Sequence, residues 1–425
     1  MDQHRARTSI PAATRHEIAA SLAGADAHLA RHYPGERATR QPVHTVYVPA
    51  DRFTPGTAPA WGTAALALLD THAPDPATFA TVLGLPPHLA EEIHHRVRAK
   101  LTREPVEDLR IDFEDGYGRR PDSEEDAAAL RAAAHLTTAR RQGTAPPGVG
   151  IRFKSLEAPV RDRAIRTLDL FLSALLDAGS LPAPLRLTLP KVSHPDQVTA
   201  MARLCDAFET ATGLPAGRLT FEIQIETTQA IVGADGRATV ARLIAAAPTR
   251  VEALHYGTFD YSAACSVGAA HQAPDHPAAD HAKAVMQAAA AGTGVRLSDG
   301  STNLLPTGDT AQVHHAWRHH HALVARSLAR AYYQGWDMHP GQLPTRYAAV
   351  YAFYRQGLPD AARRLAAHLG AGPGNTTVLD EPATVRALAG FLLRGLHCGA
   401  LDPEEITTAT GAGPDTLHTL AGPPH

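Results

Sequence analysis

The sequence predicts an α/β protein folded as a closed (βα)8 barrel of TIM type, with an N-terminal helical lead-in and a C-terminal helical extension. Three observations carry that expectation. Short β-branched and aromatic runs alternate with segments of helical periodicity, and the ends of the middle runs recur at roughly 31 to 38 residues, the length of a strand-plus-helix unit. Charged residues gather at the C-terminal ends of these runs, where a barrel presents its chemistry. No glycine-rich turn of dinucleotide-binding type follows the first run, and Gly292-Thr293-Gly294 is too short a signal, which disfavours the doubly wound sheet.

The elements follow in order. Residues 14–32 read as an amphipathic helix, and a polar link from Tyr33 to Pro42 completes a lead-in over 1–42. The barrel is expected over 43–345. Its first strand is Val43 to Pro49, followed by a long insertion, Thr54 to Pro87, read as a loop, and a helix from His88 to Leu101. Strands then run at Leu109–Gly116, Gly150–Lys154, Leu185–Lys191, Thr220–Ile225 and Val251–Gly257. The helices expected with them span Ser123–Gln142, Val160–Leu176, Pro195–Thr212 and Ala278–Ala291. Thr293 to Pro306 supplies a seventh strand position, Ala311–Ala331 a helix, and Tyr332–Met338 the eighth strand. The extension, 346–425, reads as helices at Arg346–Gln356, Asp360–Leu369, Pro382–Leu396 and Pro403–Thr408.

Composition narrows the function. In 425 residues, 44% are hydrophobic and 20% charged, and the net charge is −3, with no sustained basic stripe. That argues against nucleic acid or an anionic membrane as partner and leaves small molecules. No run approaches about 18 apolar residues, and the N-terminus lacks the apolar core of a signal peptide. Cys205, Cys265 and Cys398 are far apart and form no CxxC pair, so neither a disulfide framework nor a structural zinc site is expected, and a cytoplasmic location fits.

The centre of the chemistry is the stretch Phe221 to Gln229. A strand ends there and places Glu226 at its mouth; the next strand, Val251 to Tyr256, is followed by Gly257-Thr258-Phe259-Asp260. Neighbouring parallel strands lie roughly 4.8 Å apart. Glu226 and Asp260 are therefore placed to close on one hard cation through oxygen, with the other positions left to water and substrate. The second strand ends in Asp112, Glu114 and Asp115, the third carries Arg152 and Lys154, the fourth Lys191, and the eighth Asp337 and His339. Asp112 and Glu114, two apart, share a strand face, which can reach the metal or form a salt-bridge layer with Arg110, Arg152 and Lys191. Asp112, Glu114 and a metal-bound water are the candidate bases. The four lysines are Lys100, Lys154, Lys191 and Lys283, so two stand at strand mouths. The histidines His314, His315, His319, His320 and His321 have i, i+4 pairs suited to zinc, yet they fall in a helix away from the mouth and read as a solvated face.

Seven motifs in order carry a resemblance. Tyr47-Val48-Pro49, Asp112-Phe113-Glu114-Asp115, Ile151-Arg152-Phe153, Leu189-Pro190-Lys191-Val192, Ile225-Glu226-Thr227, Gly257-Thr258-Phe259-Asp260 and His339-Pro340-Gly341-Gln342 each stand at an expected strand end. Together they resemble the superfamily of citrate lyase beta-chains, malyl-CoA lyases and 2-oxo-acid aldolases, magnesium-dependent (βα)8 carbon–carbon lyases. The resemblance implies Glu226 and Asp260 as magnesium ligands, with manganese as the alternative ion, and Arg152 as the substrate arginine. Lys154 departs from it, standing where the superfamily often has Asn. Asp380 and Glu381 are possible equivalents of an acid or base that the C-terminal part supplies to a neighbouring subunit in CoA-using relatives, and a homo-oligomer is implied by analogy.

The expected activity is cleavage or formation of a carbon–carbon bond next to a 2-oxo or 2-hydroxy acid through a metal-stabilised enolate. Arg152, Asp112 and Glu114 would be catalytic, and Arg152, Lys191, Gly257, Thr258 and Phe259 would bind substrate. The alternatives are a lyase of malyl- or citramalyl-CoA, a phosphoenolpyruvate-utilising enzyme on the same platform, and a non-catalytic metabolite sensor. The Thr54–Leu85 segment is poor in Arg and Lys, which favours a free acid over a CoA thioester, although Arg52, Arg119 and Arg120 lie on neighbouring loops.

Overall fold

The computed structural model describes residues 9–179, 181–370 and 381–422. The chain opens with α1 (Ala12–His32), followed by β1 (His44–Pro49), α2 (Thr57–His72), α3 (Pro76–Leu83) and α4 (Ala90–Arg103). Regular alternation then begins with β2 (Asp108–Asp112), α5 (Asp122–Gln142), β3 (Gly148–Arg152), α6 (Arg161–Asp177), β4 (Leu185–Leu189) and α7 (Pro195–Thr212). It continues through β5 (Thr220–Ile225), α8 (Thr228–Ile231), α9 (Thr239–Ala246), β6 (Val251–Tyr256), α10 (Thr258–Ala264), α11 (Pro277–Ala290), β7 (Arg296–Ser298), α12 (Thr310–Ala329) and β8 (Gly335–Asp337). The chain ends with α13 (Leu343–His368), α14 (Pro382–His397), α15 (Pro403–Thr410) and α16 (Pro414–Ala421).

All eight strands are parallel, in the order β7-β6-β5-β4-β3-β2-β1-β8. The ring closes between β7 and β8 through a single bridge at Ser298 and Gln334, where Asp299 N–H donates to Gln334 O at 2.8 Å. The expected (βα)8 barrel is the observed fold. β1 and β5 end where the sequence suggested, while β2, β3, β4, β6 and β8 end one to four residues earlier, because the chain leaves the ladder to build the mouth.

Alternation along the strands separates two environments. Val46, Val48, Leu109, Ile111, Val149, Ile151, Leu187, Leu189, Phe221, Ile223, Ile225 and Leu254 are buried in the core shared with the surrounding helices. The intervening residues face one another across the lumen, and there the contacts are polar. Arg110 donates to Asp108 at 2.7 Å, to Glu222 at 2.7 Å and to Thr188 at 3.0 Å, Thr45 donates to Asp108 at 2.9 Å, and His255 lies 3.0 Å from Glu222. Burial works against the Asp108 and Glu222 charges, but Arg110, joined by Arg186 at Asp108 and by His255 at Glu222, outweighs it, and both carboxyls stay below their usual range. Breaking one partner of such a layer leaves an uncompensated buried charge, which costs about 3–5 kcal/mol.

Several expectations are corrected. The Thr54–Pro87 insertion is not an open loop: α2 and α3 bury Ala65, Leu69, Phe79, Val82 and Leu83 in a second hydrophobic core with α4, α12, α13 and α14. Asp75 caps α3, accepting from Thr78 N–H at 2.9 Å. The extension begins in one helix where two were expected; α13 runs through Pro359 and across the boundary placed at 345. Its Tyr347, Tyr351 and Tyr354 are buried in the second core. Asp337 is at no mouth: it is fully buried, pairs with Arg346 at 2.8 Å, and meets His44 and His320 at 2.9 and 3.1 Å. His320 is thus a buried partner of β8, not part of a solvated face, while His339 caps the short turn Pro340–Gln342. The α1 helix has no buried residue, so its apolar positions Ile18, Leu22 and Leu29 stand about half exposed. Among the described residues no helix is long and apolar enough to cross a membrane.

Candidate active site

Lys191, two residues beyond β4, holds the mouth together. Its backbone is left-handed, φ 52°, a conformation that costs a non-glycine residue about 1 kcal/mol or more. In that conformation its N–H donates to Glu226 Oε1 at 2.7 Å. Its ammonium reaches Asp260 Oδ2 at 2.7 Å, Asp115 Oδ2 at 3.1 Å and Glu114 Oε1 at 3.4 Å. One residue therefore grips both carboxylates that sequence reasoning paired. Glu226 follows β5 and is buried; burial pushes its carboxyl up to about 7 against the opposing pull of Lys191 and Arg152. Gly257, at the end of β6, leaves room for it: a Cβ there would lie 2.5 Å from Glu226 Cβ and 2.7 Å from Oε2.

These residues fit a hard divalent cation. Among the described residues no group of three or more His, Cys, Asp or Glu side chains gathers to enclose a metal. Two carboxylates on neighbouring strand ends, one buried and one about half exposed, match magnesium, which is commonly held by one or two carboxylates with water and substrate completing its shell.

Asp112 has a different task from the one expected. Its two oxygens accept from Arg152 Nε and Nη2, both at 2.7 Å, from Glu114 N–H at 2.9 Å and from Gly116 N–H at 3.0 Å. All four lone-pair positions are taken. Asp112 is thus a buried brace for Arg152 with nothing left for a metal or a substrate proton. Gly116 permits this, since a Cβ there would meet Asp112 Oδ2 at 2.6 Å. Arg152 keeps Nη1 towards the lumen, 3.4 Å from Gln224 Oε1 and 3.6 Å from Glu114 Oε2. The rings of Tyr47 and Trp336 lie 4.7 and 5.4 Å from its guanidinium carbon, a cation–π setting that fixes its plane.

Glu114 remains. Burial pushes its carboxyl up to about 8; Arg152 opposes this and the neighbouring Asp115 adds to it. Of the two acidic candidates on this strand, it has the ionisation suited to moving a proton near neutrality. Thr258 is buried and Phe259 partly exposed in the first turn of α10, where N–H groups lack intrahelical acceptors.

Lys154 turns away from the mouth. It donates to Glu125 Oε2 of α5 at 2.6 Å and to Phe113 O at 2.8 Å, a buried ion pair behind the strand. The other lysines are paired too, Lys100 with Glu107 at 2.7 Å and Lys283 with Asp299 at 2.8 Å, so lysine position was a poor guide to function. Glu381 precedes α14, and Asp380 lies outside the described residues. Sequence reasoning missed Tyr47, Trp336 and Gln224. Counting alternate residues along β1 and β5 from Thr45 and Glu222 would have placed Tyr47 and Gln224 inside the barrel.

Several solved structures resemble the chain, and one shares its fold. A citrate lyase from Burkholderia xenovorans LB400 superposes with a TM-score of 0.58 at 20% identity, over 88% of this chain and 98% of that one. Haloferax volcanii malate synthase, as its lead(II) complex, gives 0.49 at 13% identity over 85% and 90%. CitE from Mycobacterium tuberculosis, in complex with magnesium, acetoacetate and coenzyme A, gives 0.48 at 16% identity over 85% and 100%. The first of these carries the citrate lyase name that the strand-end motifs led to, and its likeness to this chain is one of fold. No protein of curated function matches the sequence. A family profile does, across residues 22–423, which take in the whole barrel and most of its helical additions, and by that match the chain belongs to the family described as domain of unknown function DUF6986.

Proposed function

We propose that this chain is a magnesium-dependent carbon–carbon lyase or aldolase acting on a 2-oxo or 2-hydroxy acid. The observation that carries the reading is the double grip of Lys191 on Glu226 and Asp260, which presents two hard carboxylates together at the mouth, with an arginine nearby whose Nη1 is held only by the long 3.4 Å contact to Gln224. The fold shared with citrate lyase supports it.

Glu226 and Asp260 would hold a divalent cation, which would supply Lewis-acid charge to the reacting carbonyl. The chain's own groups do the rest. Arg152 Nη1 meets the oxygen on which negative charge grows, and a preorganised donor of this kind is worth about 3–4 kcal/mol in the transition state. Asp112 keeps that guanidinium from turning. Glu114, 3.6 Å from Arg152 Nη1, takes or returns the proton at the carbon beside the carbonyl. Lys191 and the N–H groups of Thr258 and Phe259 hold the substrate carboxylate.

A CoA thioester is the second reading, because Arg52 and Arg119 are exposed at the rim while Arg120 is taken by Asp51 and Glu124, at 2.8 and 2.6 Å. Calorimetry with magnesium present separates the two. Oxalate should bind, weaken at least tenfold in Glu226→Ala and Asp260→Ala, and fail to bind in EDTA. Acetyl-CoA binding that persists in Arg152→Ala, with no binding of oxalate or pyruvate, moves the protein to the thioester branch. Binding of neither removes the lyase reading.

A further inference from the structure

At the opposite end of the barrel, the strand N-termini carry more guanidinium than carboxylate. Glu252 of β6 is shared by Arg37 of the lead-in, Nη1 to Oε1 at 3.2 Å, and by Arg186 of β4, Nε to Oε2 at 3.7 Å. Arg186 also lies 3.3 Å from Asp108, which Arg110 already holds at 2.7 Å. Arg296 of β7, paired in register with Ala253 and so beside Glu252, is the odd cation. Its Nη2 donates to the carbonyl and to Oγ1 of Thr39 and, among the described residues, to no carboxylate. Arg37, Arg110, Arg186 and Arg296 thus face Asp108, Glu222 and Glu252, and one positive charge is left over in a largely buried place.

Neighbouring groups register the same excess. Arg296 is held down to about 10, by burial first and then by Arg186 and Arg37, against the opposing pull of Glu252 and Asp108. His397 of α14, on the other side of this corner, is below the usual histidine range through burial, then His418, Arg40, Arg296 and Arg394. Arg40 is matched by Glu104 and Glu107, and Arg394 by Glu36. Arg296 alone of these lacks a match among the described residues. A guanidinium removed from water without a counter-charge is costly, and its planar fork suits a carboxylate or phosphate.

We propose that this corner of the barrel floor binds a small anion, a carboxylate or phosphate group, with Arg296 as its ligand; Arg37 beside it, whose nitrogens donate to Gly294 O, Glu252 and Val251 O, keeps Glu252 from Arg296. The site is at the far end from the mouth and is distinct from the one that would take substrate. Since Arg37 and Thr39 belong to the link after α1, an occupant lies where that link meets the barrel.

Thermal unfolding of the full chain at constant ionic strength, with inorganic phosphate or acetate titrated in, tests the proposal. At saturation one of the two should raise Tm by about 2 °C in the wild type, and which of them does so names the group. The rise should vanish in Arg296→Gln. If that variant does not fold, Arg37→Gln, at a more exposed position, frees Glu252 for Arg296 and should weaken the apparent affinity at least threefold. No rise with either anion in the wild type, or an undiminished rise in a folded variant, overturns the site.

Discussion

The backbone N–H of Lys191 donates to Glu226 Oε1 at 2.7 Å, and it does so from a left-handed conformation. Glu226 is thereby fixed through the main chain, and the Lys191 side chain is free to hold Asp260. On the other flank Gly257 leaves no space for a methyl group against Glu226. Gly257→Ala should therefore displace the carboxylate by several tenths of an ångström. Misplacement by about 1 Å can cost about 100-fold in rate, so a loss of ten- to 100-fold in kcat/KM is expected with Tm nearly unchanged. Wild-type activity in this variant would show that Glu226 needs no such placement.

Metal removal gives a second prediction. Glu226→Ala and Asp260→Ala should each lose turnover and weaken manganese binding, read by electron paramagnetic resonance, by at least tenfold. Circular dichroism should stay native, since both side chains stand at the mouth and outside the two hydrophobic cores. Full turnover in excess EDTA would remove the metal from the reaction.

Arg152 and Asp112 should fail in different ways. Arg152→Lys keeps the charge but loses the planar fork, so kcat should fall by about 100-fold or more. Asp112→Asn keeps the shape and removes the charge that balances a buried guanidinium, so it should lower stability by about 3 kcal/mol as well as rate. Urea denaturation beside steady-state kinetics separates the two. A catalytic Asp112 would instead show a rate loss with stability intact.

Glu209 of α7 predicts part of the acid limb of stability. It is buried, accepts from Arg250 Nη1 and Nη2 at 2.9 and 2.7 Å, and takes the N–H groups of Gly217 and Leu219 at 2.9 and 2.6 Å. Chiefly through Arg250, its carboxyl is held down to about 2, against an ordinary value of 4.5. A carboxyl depressed by folding stabilises above its unfolded value and loses that contribution as pH falls towards its folded value. The contribution is about 3 kcal/mol at neutral pH, fading between about pH 4.5 and 2. Glu209→Gln should be less stable by about 2–3 kcal/mol at pH 7 and show a shallower decline below pH 4.5 in urea melts. Parallel pH profiles would disprove the assignment.

The sequence by itself determined the barrel, because strand and helix periods are local and the charged residues at strand ends mark one mouth. It also determined the pairing of Glu226 with Asp260, since consecutive strands of such a barrel are neighbours. Only the tertiary structure decided how the carboxylates divide their work. Asp112 and Glu114 are two apart and look equivalent in sequence, yet one has every lone pair filled by Arg152 and two N–H groups, while the other is buried with an acidic neighbour and its carboxyl rises to about 8. Lys154 and Lys191 looked alike as well, but the first leaves β3 towards Glu125 and the second bends back across the mouth. Such assignments depend on partners about 30 to 70 residues away in sequence, and on burial, which changes ionisation without changing any residue.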